Sequence, residues 1–592
     1  MTVRTGGNGR KPGARLEVPA QQPAGVWLRE SSSGLAVLAV TIGAGAGLGA
    51  VAFRWLITTF THLFSGHADY SAAGGEAHPW FPALGPWFLL IAPVLAGLVY
   101  GPLVYRFAPE ARGHGVPEVM YAVAEKGGRI PAQVTVVKAL ASALTIGSGG
   151  SVGREGPIVQ IGSALGSTFG RWFRLPESRL RVLVACGAAG GIAATFNAPM
   201  AGPFFAMELI LRDFAVESFG AVVLSSVTAG VVGRAVFGNV AFLDLPPFTL
   251  RNPVEYLLFV VLGVVVGACG VLFTKVLYRI EDACDWIWRG PEWLRPAVGG
   301  LVLGGLLLAL PEMYGVGYPV LQNAVEGKYV FGFLLLLLVG KIVATSLTIG
   351  IGGSGGVFAP SLFIGAMGGT AFGIAVHAWL PGMTASPGVY GLIGMGAAFA
   401  GAARAPITAV IILFELTGQY TIILPLMTAI VVATLTSKTL LREDTIYTLK
   451  LRRRGVDIDK RPEARRLAGT TVAQVLEPLP DALREDTGLR PAARALALSG
   501  HGILPVVSAD GRYHGCVTAR AVAEALTDDR AETVGSLAEL PPVVTGESPL
   551  TDALDALTQA AGTGLPVQDK ETGTLSGWIT HQAILTALRP AG

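Results

Sequence analysis

The stretch GSGGSVGREGPIVQIG, residues 147–162, joins a glycine run to an apolar run and carries two charged residues at the junction. These are Arg154 and Glu155, and Pro157 follows them at a position that suits the first turn of a helix, where its missing N–H is not needed. Neighbours in sequence point in different directions on a helix, so a structural ion pair between the two is disfavoured. The flanking sequence is too hydrophobic for the surface of an ordinary enzyme. The carboxylate of Glu155 therefore needs another explanation.

The composition of the whole chain indicates a membrane protein. Of its 592 residues, 51% are hydrophobic and 14% are charged, against about a quarter charged in typical soluble domains. Long apolar runs recur between about residues 34 and 441, and several reach the ~20 residues that a helix needs to cross ~30 Å of hydrocarbon. We therefore expect a polytopic helical protein. No His-Glu-x-x-His motif lies in these runs, and we do not expect an enzyme.

Basic residues flank the apolar region and predict its orientation. The first loop, residues 65–85, has no Lys or Arg, whereas five basic residues precede the first run, namely Arg4, Arg10, Lys11, Arg15 and Arg29. Five more follow the last run, namely Arg442, Lys450, Arg452, Arg453 and Arg454. Because basic segments stay on the cytoplasmic side, we expect both termini in the cytoplasm and the protein in the plasma membrane. The net charge of +3 is too small to indicate a nucleic-acid partner.

An internal repeat divides the apolar region in two. Residues 147–166 align without gaps on residues 350–369, and residues 196–209 align on residues 403–416. Such halves are typical of transporters and channels, in which broken helices meet near the middle of the bilayer. The domain prediction that follows is a tail (1–33), a membrane domain (34–448, with repeats at about 34–238 and 254–448), a linker (449–467) and a soluble domain (468–592).

Each repeat contains a Gly/Ser-rich run that ends in a proline and leads into an apolar helix. Pro157 and Pro360 are related by the repeat, and Pro117 ends a third such run. If the three helix starts converge, their unpaired N–H groups and positive dipole ends form a weak anion site without a formal cation. Close helix packing through small residues is the alternative explanation of the glycines. The combination of three runs with prolines favours the anion site.

Four segments resemble the CLC family of chloride channels and proton-coupled chloride exchangers. They are GHGVP (113–117), GREGP (153–157), GGVFAP (355–360) and IYTLKL (446–451). The resemblance covers about residues 34–451 and implies an all-α membrane domain of two inverted repeats with tilted and broken helices. It also implies a homodimer with one chloride pathway in each subunit, chloride as the ligand, and neither a metal nor a cofactor in the pore.

The resemblance also implies roles for single residues. Glu155 is similar to the gating glutamate of the family, whose carboxylate fills the outer anion site in the absence of chloride and leaves it on protonation. Tyr447 is similar to the tyrosine whose hydroxyl contacts the central chloride, and a tyrosine at the membrane interface is its alternative explanation. The implied selectivity segments run from Gly113 to Pro117, from Gly153 to Pro157 and from Gly356 to Pro360. The implied anion-binding residues are Gly113, His114, Gly115, Val116, Arg154, Glu155, Gly156, Gly356, Val357, Phe358 and Tyr447.

His114 departs from the family pattern, in which a serine hydroxyl contacts the ion at this position. A histidine donates one N–H when neutral and carries a charge when protonated. An altered anion preference, or transport that responds to cytoplasmic pH, would follow. The ring can equally turn aside and pack, which would leave the backbone of Gly115 and Val116 to bind the ion. The sequence does not separate these two outcomes.

Leu209 is the second departure from the family pattern. Exchangers of the family typically carry two successive glutamates here, and the second passes protons to the cytoplasmic side, whereas this chain has Glu208 followed by leucine. Because leucine cannot relay a proton, we expect a passive chloride channel, gated by voltage or pH through Glu155. A 2 Cl⁻/H⁺ antiporter is the alternative, since some exchangers lack this glutamate and water can carry protons. A membrane sensor controlled by the soluble domain is a lower alternative, because an anchor needs no GREGP segment.

The C-terminal region contains a second repeat with the composition of a soluble domain. Residues 503–522 and 564–584 each read as strand, turn, strand and helix, in an α+β pattern that resembles a pair of CBS motifs. Such pairs often bind adenosine nucleotides through a Thr-x-x-Asp run, whose aspartate holds the ribose. Ala521 and Ala583 occupy the aspartate positions here. We therefore expect a dimer-stabilising or regulatory module without tight nucleotide binding.

Overall fold

The structure is a computed structural model that describes residues 27–29, 31–72, 75–238, 252–458, 467, 469–528, 533–560, 564–569 and 574–588. The chain divides after Arg454 into two compact units, which we call the membrane unit and the tail unit. Residues 449–454, expected to begin the linker, belong to the membrane unit. The predicted N-terminal tail up to residue 26 and residues 459–466 of the predicted linker lie outside the described residues.

The first half of the membrane unit, as far as it is described, is built from long helices with shorter ones between them. They are α1 (Ser32–Ser65), α2 (Phe88–Phe107), α3 (Val116–Glu125), α4 (Gln133–Gly147), α5 (Glu155–Trp172), α6 (Glu177–Phe196), α7 (Ala201–Phe205) and α8 (Val216–Phe237). Helix α7 continues as a π-helical turn over Ala206–Leu211.

The second half of the membrane unit repeats this order of long and short helices. They are α9 (Glu255–Ile287), α10 (Arg295–Ala309), α11 (Tyr318–Val325), α12 (Phe331–Gly350), α13 (Phe358–Trp379), α14 (Pro387–Ala403), α15 (Pro406–Thr417) and α16 (Ile423–Leu441). A short helix, α17 (Thr448–Arg453), ends the unit.

Helix length separates spanning helices from broken ones. Within the described residues, 8 helices are long and apolar enough to cross a membrane, judged by length and composition. The apolar helices α4, α10, α14 and α15 are shorter, at 10–17 residues, and fall below the ~20 residues that a full crossing requires. Helices α3 and α11 have 10 and 8 residues. These short helices are therefore broken helices that cannot cross a membrane alone, as the glycine and proline runs predicted.

Glycines at matching positions bring α5 against α6 and, in the other repeat, α13 against α14. A Cβ atom on Gly162 would overlap the backbone carbonyl of Gly187, and one on Gly365 would overlap that of Gly394. Larger side chains would separate the helices and remove the van der Waals contact on which helix association in membranes depends. For these glycines the close-packing explanation is correct. The two tight pairs hold the starts of α5 and α13 in place.

The tail unit is an α+β fold made of two similar halves, each with a three-stranded sheet. The strands are β1 (Leu483–Arg484), β2 (Ile503–Val507), β3 (Tyr513–Thr518), β4 (Val544–Thr545), β5 (Gly564–Gln568) and β6 (Leu575–Thr580). The helices are α18 (Leu489–Ser499), α19 (Ala519–Thr527), α20 (Val534–Leu537), α21 (Leu550–Gln559) and α22 (His581–Leu588). In each sheet the first two strands are parallel and the last two are antiparallel. The predicted order of strand, turn, strand and helix is confirmed in the first half. The strands and the helix are also confirmed in the second half, where residues 570–573 of the turn lie outside the described residues.

A shared cluster joins the two halves of the tail unit. The buried ring of Trp578 on β6 packs with Ile503 and Cys516 from the first sheet. Thr518 and Thr580 occupy equivalent positions, and each accepts a hydrogen bond from a backbone N–H in the helix that follows, at 3.1 and 3.0 Å. These threonines therefore act as helix N-caps.

Candidate anion site where broken helices meet

The loops before α3, α5 and α13 hydrogen-bond to one another. Gly153 and Gly356 exchange two backbone hydrogen bonds, at 2.8 and 2.6 Å. Gly113 donates its N–H to the carbonyl of Gly353 at 3.2 Å and accepts from the N–H of Gly355 at 3.3 Å. The three helix starts therefore converge, as the prolines in their first turns predicted. The first N–H groups of each helix have no acceptor within the helix, and the positive dipole ends point to one region.

Two glycines allow the helix starts to approach so closely. A Cβ atom on Gly156 would overlap the carbonyl oxygen of His114 and lie 3.0 Å from the Cα atom of Gly356. A Cβ atom on Gly115 would lie 2.7 Å from the carbonyl oxygen of Gly156. Gly115 also has a φ of +84°, in the left-handed region that favours glycine. The GHGVP and GREGP segments are thus explained by the contact between their backbones.

The Glu155 carboxylate lies at this meeting point. Glu155 is the first residue of α5 and is 1% exposed. Its Oε2 accepts a hydrogen bond from the backbone N–H of Ala359 at 3.4 Å, and its Oε1 accepts one from the Tyr318 hydroxyl at 2.8 Å. Val357 and Phe358, which were predicted to supply N–H groups, stand just before Ala359 at the start of α13. A negative group is therefore bound by the start of a neighbouring helix, as anions are in proteins.

Aromatic rings line the surroundings of the carboxylate. The guanidinium of Arg154 lies over the ring of Tyr318, with its carbon 5.3 Å from the ring centroid. The buried ring of Phe358 packs against Phe196 and Phe399, with centroids 5.5 and 4.5 Å apart. Arg154 thus contacts the tyrosine that binds Glu155, and its predicted contact with the anion stays a prediction.

Sequence reasoning missed a fourth helix start and its tyrosine. Tyr318 opens α11, and Pro319 stands in the first turn. The preceding run GVGYP (315–319) corresponds to GHGVP (113–117) in the first repeat. An extension of the repeat alignment toward the N-terminus would have revealed this segment.

Two buried lysines, also missed, support the loops of the site. Lys138 donates to the carbonyls of Ala111 and Gly113 at 2.9 and 2.8 Å. Lys341 donates to Ser151 Oγ at 2.9 Å and to two carbonyls in the loop before α11, at 3.1 and 3.0 Å. The two lysines are 203 residues apart, which is the offset of the repeat. Charged residues within apolar runs are a sequence signal of a functional region, and this signal was available.

His114 and Tyr447 are linked through a third ring. His114 is fully buried and packs edge-on against Tyr278, with centroids 6.0 Å apart. The Tyr278 hydroxyl donates to the carbonyl of Ile446 at 2.6 Å, directly before Tyr447, which is also buried. Among the described residues neither ring nitrogen of His114 has a hydrogen-bond partner. One of the two expectations for His114 was that its ring packs against a neighbour, and the contact with Tyr278 shows this packing. The two ring nitrogens remain without a hydrogen-bond partner in the described part of the chain.

A cavity of about 530 Å³ opens beside Gly113. Its lining combines both signs of charge and includes Arg112, Glu281, Asp282, Lys450 and Arg453. The side chain of Asp282 binds Arg453 through two hydrogen bonds, at 2.6 and 3.0 Å. A cavity lined by charged side chains therefore borders the start of α3 on the α17 side of the membrane unit.

Glu208 and Glu415, related by the repeat, each cap a helix of the other half. Glu208 accepts from the backbone N–H groups of Ile407 and Thr408 at 3.1 and 2.8 Å, and from the Thr408 hydroxyl at 2.7 Å. Glu415 accepts from two backbone N–H groups at the start of α7, at 2.9 and 2.7 Å. Leu209 lies beside Glu208 in the π-helical turn with its side chain buried. A reciprocal cap explains why both glutamates are present.

Similar sequences carry related names. The sequence model of the family described as "Voltage gated chloride channel" matches residues 96–438. The putative chloride channel protein ClcB-like of Ralstonia nicotianae is 34% identical over 404 residues, covering 68% of this chain and 92% of that protein. The H(+)/Cl(-) exchange transporter ClcA of Vibrio parahaemolyticus is 38% identical over 372 residues, covering 62% of this chain and 79% of that protein.

Solved structures share the fold. A slow cyanobacterial Cl⁻/H⁺ antiporter superposes with a TM-score of 0.64 and 27% identity, covering 72% of this chain and 98% of that one. A eukaryotic CLC transporter superposes with a TM-score of 0.63 and 21% identity, covering 95% of this chain and 99% of that one. These likenesses confirm the predicted fold, a helical membrane domain of two inverted repeats with broken helices, followed by an α+β domain. The chain therefore belongs to the CLC family, whose sequence model carries the description "Voltage gated chloride channel".

Proposed function

We propose that the protein carries chloride across a membrane in exchange for protons, and that Glu155 both gates the anion pathway and carries the proton. The supporting observation is the buried Glu155 carboxylate on an N–H group of a first helical turn. A negative side chain in that position competes with a free anion for the same donors. The relative named an H(+)/Cl(-) exchange transporter and the neighbour named a Cl⁻/H⁺ antiporter favour exchange over passive conduction.

Charge determines whether Glu155 and chloride can share the site. Two unit charges 4 Å apart interact by about 4 kcal/mol at an effective dielectric constant of 20, so an ionised Glu155 repels an incoming chloride. Protonation removes this repulsion and frees the N–H groups for the ion. Helix ends carry only partial charges, so they bind the ion weakly enough to release it. Opening of the pathway therefore takes up a proton, which links the two flows.

The inner end of the pathway is proposed to lie near α17. There we assign the second anion position to the Tyr447 hydroxyl and to the backbone N–H groups of Gly115 and Val116. The cavity beside Gly113 would supply chloride from the cytoplasm, because the basic segment that follows α16 favours that side for both termini. The protein would reside in the plasma membrane.

Assembly and regulation complete the proposal. We assign a homodimer with one pathway in each subunit, as the family resemblance implies. The tail unit is assigned as a CBS pair that stabilises or regulates the dimer. Ala521 and Ala583 offer no carboxylate for a ribose, so adenosine nucleotides would bind at most weakly.

Passive conduction is the second candidate, and one observation favours it. Leu209 offers no titratable atom in the slot where exchangers typically carry the glutamate that relays protons. In an exchanger of this sequence, water would have to carry the proton between Glu155 and the inner solution. Proton coupling should then be slow or incomplete compared with a chain that has a carboxylate at this position.

Liposomes with purified protein separate these candidates in one assay. An imposed chloride gradient should drive protons uphill, measured with a pH-sensitive dye beside a chloride electrode. Glu155→Gln should abolish proton movement while chloride still flows, and Glu217→Gln, at an exposed position in α8, should leave both flows unchanged. Chloride flux without uphill proton movement in the unsubstituted protein would establish the channel instead. Absence of any chloride flux would refute both candidates.

A further inference from the structure

The Tyr318 hydroxyl is placed to control the Glu155 gate. We infer that Tyr318 is a positioning residue whose hydroxyl holds the ionised Glu155 carboxylate in the anion site, and so sets the pH at which the pathway opens. This inference rests on the proposed function, in which Glu155 must leave the site for chloride to pass. It concerns a tyrosine outside the three selectivity segments, on a helix of the opposite repeat.

The hydrogen bond between the two side chains has the geometry of a strong one. The Tyr318 hydroxyl lies 2.8 Å from Oε1 of Glu155, while Oε2 is bound by the N–H of Ala359. The two carboxylate oxygens therefore have different donors, one on α11 and one on α13. Hydrogen bonds to an ionised group are stronger than neutral ones, and Glu155 is 1% exposed, so water does not replace the donor readily.

Lys341 fixes the loop from which Tyr318 reaches the carboxylate. Its ammonium donates to the carbonyls of Gly315 and Val316, just before Tyr318, and to Ser151, just before the GREGP segment. One buried cation thus ties the loop of the tyrosine to the loop of the glutamate. This cross-link restrains the two loops that carry these side chains, and restrained partners are what a positioning role requires.

The charged and titratable groups around Glu155 come from several elements of the membrane unit. Those within electrostatic range of the carboxylate or of its tyrosine partner are Arg154, Tyr318, Lys341, Tyr447 and Arg54. Among them, Tyr318 donates a neutral hydrogen bond directly to the carboxylate. A Tyr318→Phe substitution therefore removes a stabilising donor and leaves every cation in place.

The sign of the effect follows from the direction of the hydrogen bond. A donated hydrogen bond stabilises the carboxylate more than the carboxylic acid, so its loss lets Glu155 take up a proton at a higher pH. Since chloride flux rises as Glu155 is protonated, the pH of half-maximal flux should move upward in Tyr318→Phe. We expect a shift of about one pH unit, which corresponds to a tenfold change in protonation and about 1.4 kcal/mol.

The experiment measures chloride efflux from liposomes as a function of pH. The unsubstituted protein is compared with three single variants, Tyr318→Phe, Tyr390→Phe and Glu155→Gln, and with the double variant Glu155→Gln/Tyr318→Phe. Tyr390 is the matched control, because its hydroxyl donates to the buried Glu255 carboxylate at 3.0 Å in another part of the membrane unit. We expect the upward shift in Tyr318→Phe alone, an unchanged profile in Tyr390→Phe, and a flat profile in Glu155→Gln with or without Tyr318→Phe.

The outcomes separate this inference from the proposed function. An unchanged midpoint in Tyr318→Phe, together with a flat profile in Glu155→Gln, would overturn the inference and leave the gate in place. A pH dependence that survives in Glu155→Gln would overturn both. Infrared spectra of protein with ring-labelled tyrosine give a second test that needs no tyrosine variant. A tyrosine C–O band that shifts with pH in the unsubstituted protein, and not in Glu155→Gln, would support the inference, and identical bands would contradict it.

Discussion

Glu208 provides a test of whether the repeat-related glutamates are helix caps. In Glu208→Gln the single remaining carbonyl oxygen can accept only part of the three hydrogen bonds from Ile407 and Thr408. The amide NH₂ group would face donors at the start of α15. Hydrogen bonds to charged groups contribute about 1.5–3 kcal/mol against about 0.5–1.5 kcal/mol for neutral ones, and a charge at a helix N-terminus adds up to ~2 kcal/mol in partly buried sites. We expect Glu208→Gln to lower the free energy of unfolding by about 2 kcal/mol.

Thermal unfolding of the protein in detergent measures this loss, and liposome flux measures its consequence. Glu415→Gln should be destabilising by a similar or smaller amount, because two hydrogen bonds at the start of the short helix α7 are affected. Glu217→Gln, in the first turn of α8 but exposed, is the control and should change stability little. The ratio of protons to chloride should stay the same in Glu208→Gln. Unchanged stability together with lost proton coupling would refute the cap and identify Glu208 as a proton carrier.

Two further predictions concern the backbone contact at the site and a thiol in the tail unit. Gly156→Ala should abolish chloride flux, because its methyl group would overlap the carbonyl of His114, whereas Gly45→Ala in α1, with open space around it, should fold and transport normally. Equal flux from the two variants would contradict the close approach of helix starts. Cys516 should not react with a thiol reagent at pH 8 in the folded protein, since burial raises its pKa to about 11. Fewer labelled thiols in Cys516→Ala than in the unsubstituted protein would show that it does react.

Local pattern was enough to predict the convergence of helix starts. Glycine runs that end in proline mark where helices begin, and the repeat places equivalent starts in both halves. Close backbone contact needs glycine at particular positions, as at Gly156. The glycines in the sequence therefore indicate where two backbones can approach each other. The tail unit was predictable for a similar reason, because alternating apolar residues and turn signals define its strands.

The contacts between distant side chains were not predictable in this way. Tyr318 donates to Glu155 from the start of α11, and Lys341 binds the loop before that helix. No pattern within either segment indicates these contacts. The reciprocal caps of Glu208 and Glu415 likewise depend on how the halves pack. The choice between channel and exchanger rested on Leu209 alone. A single apolar residue is weak evidence against proton exchange, since water can carry a proton past Leu209.

Anomalous scattering from bromide tests the central claim most directly. Crystals of the Glu155→Ala variant and of the unsubstituted protein would be grown in bromide and compared. The account predicts a bromide peak in Glu155→Ala at the position of the carboxylate, in contact with the N–H of Ala359, and a weaker peak or none there in the unsubstituted protein at high pH. Bromide bound elsewhere in the membrane unit, with no peak at that position in Glu155→Ala, would contradict the account.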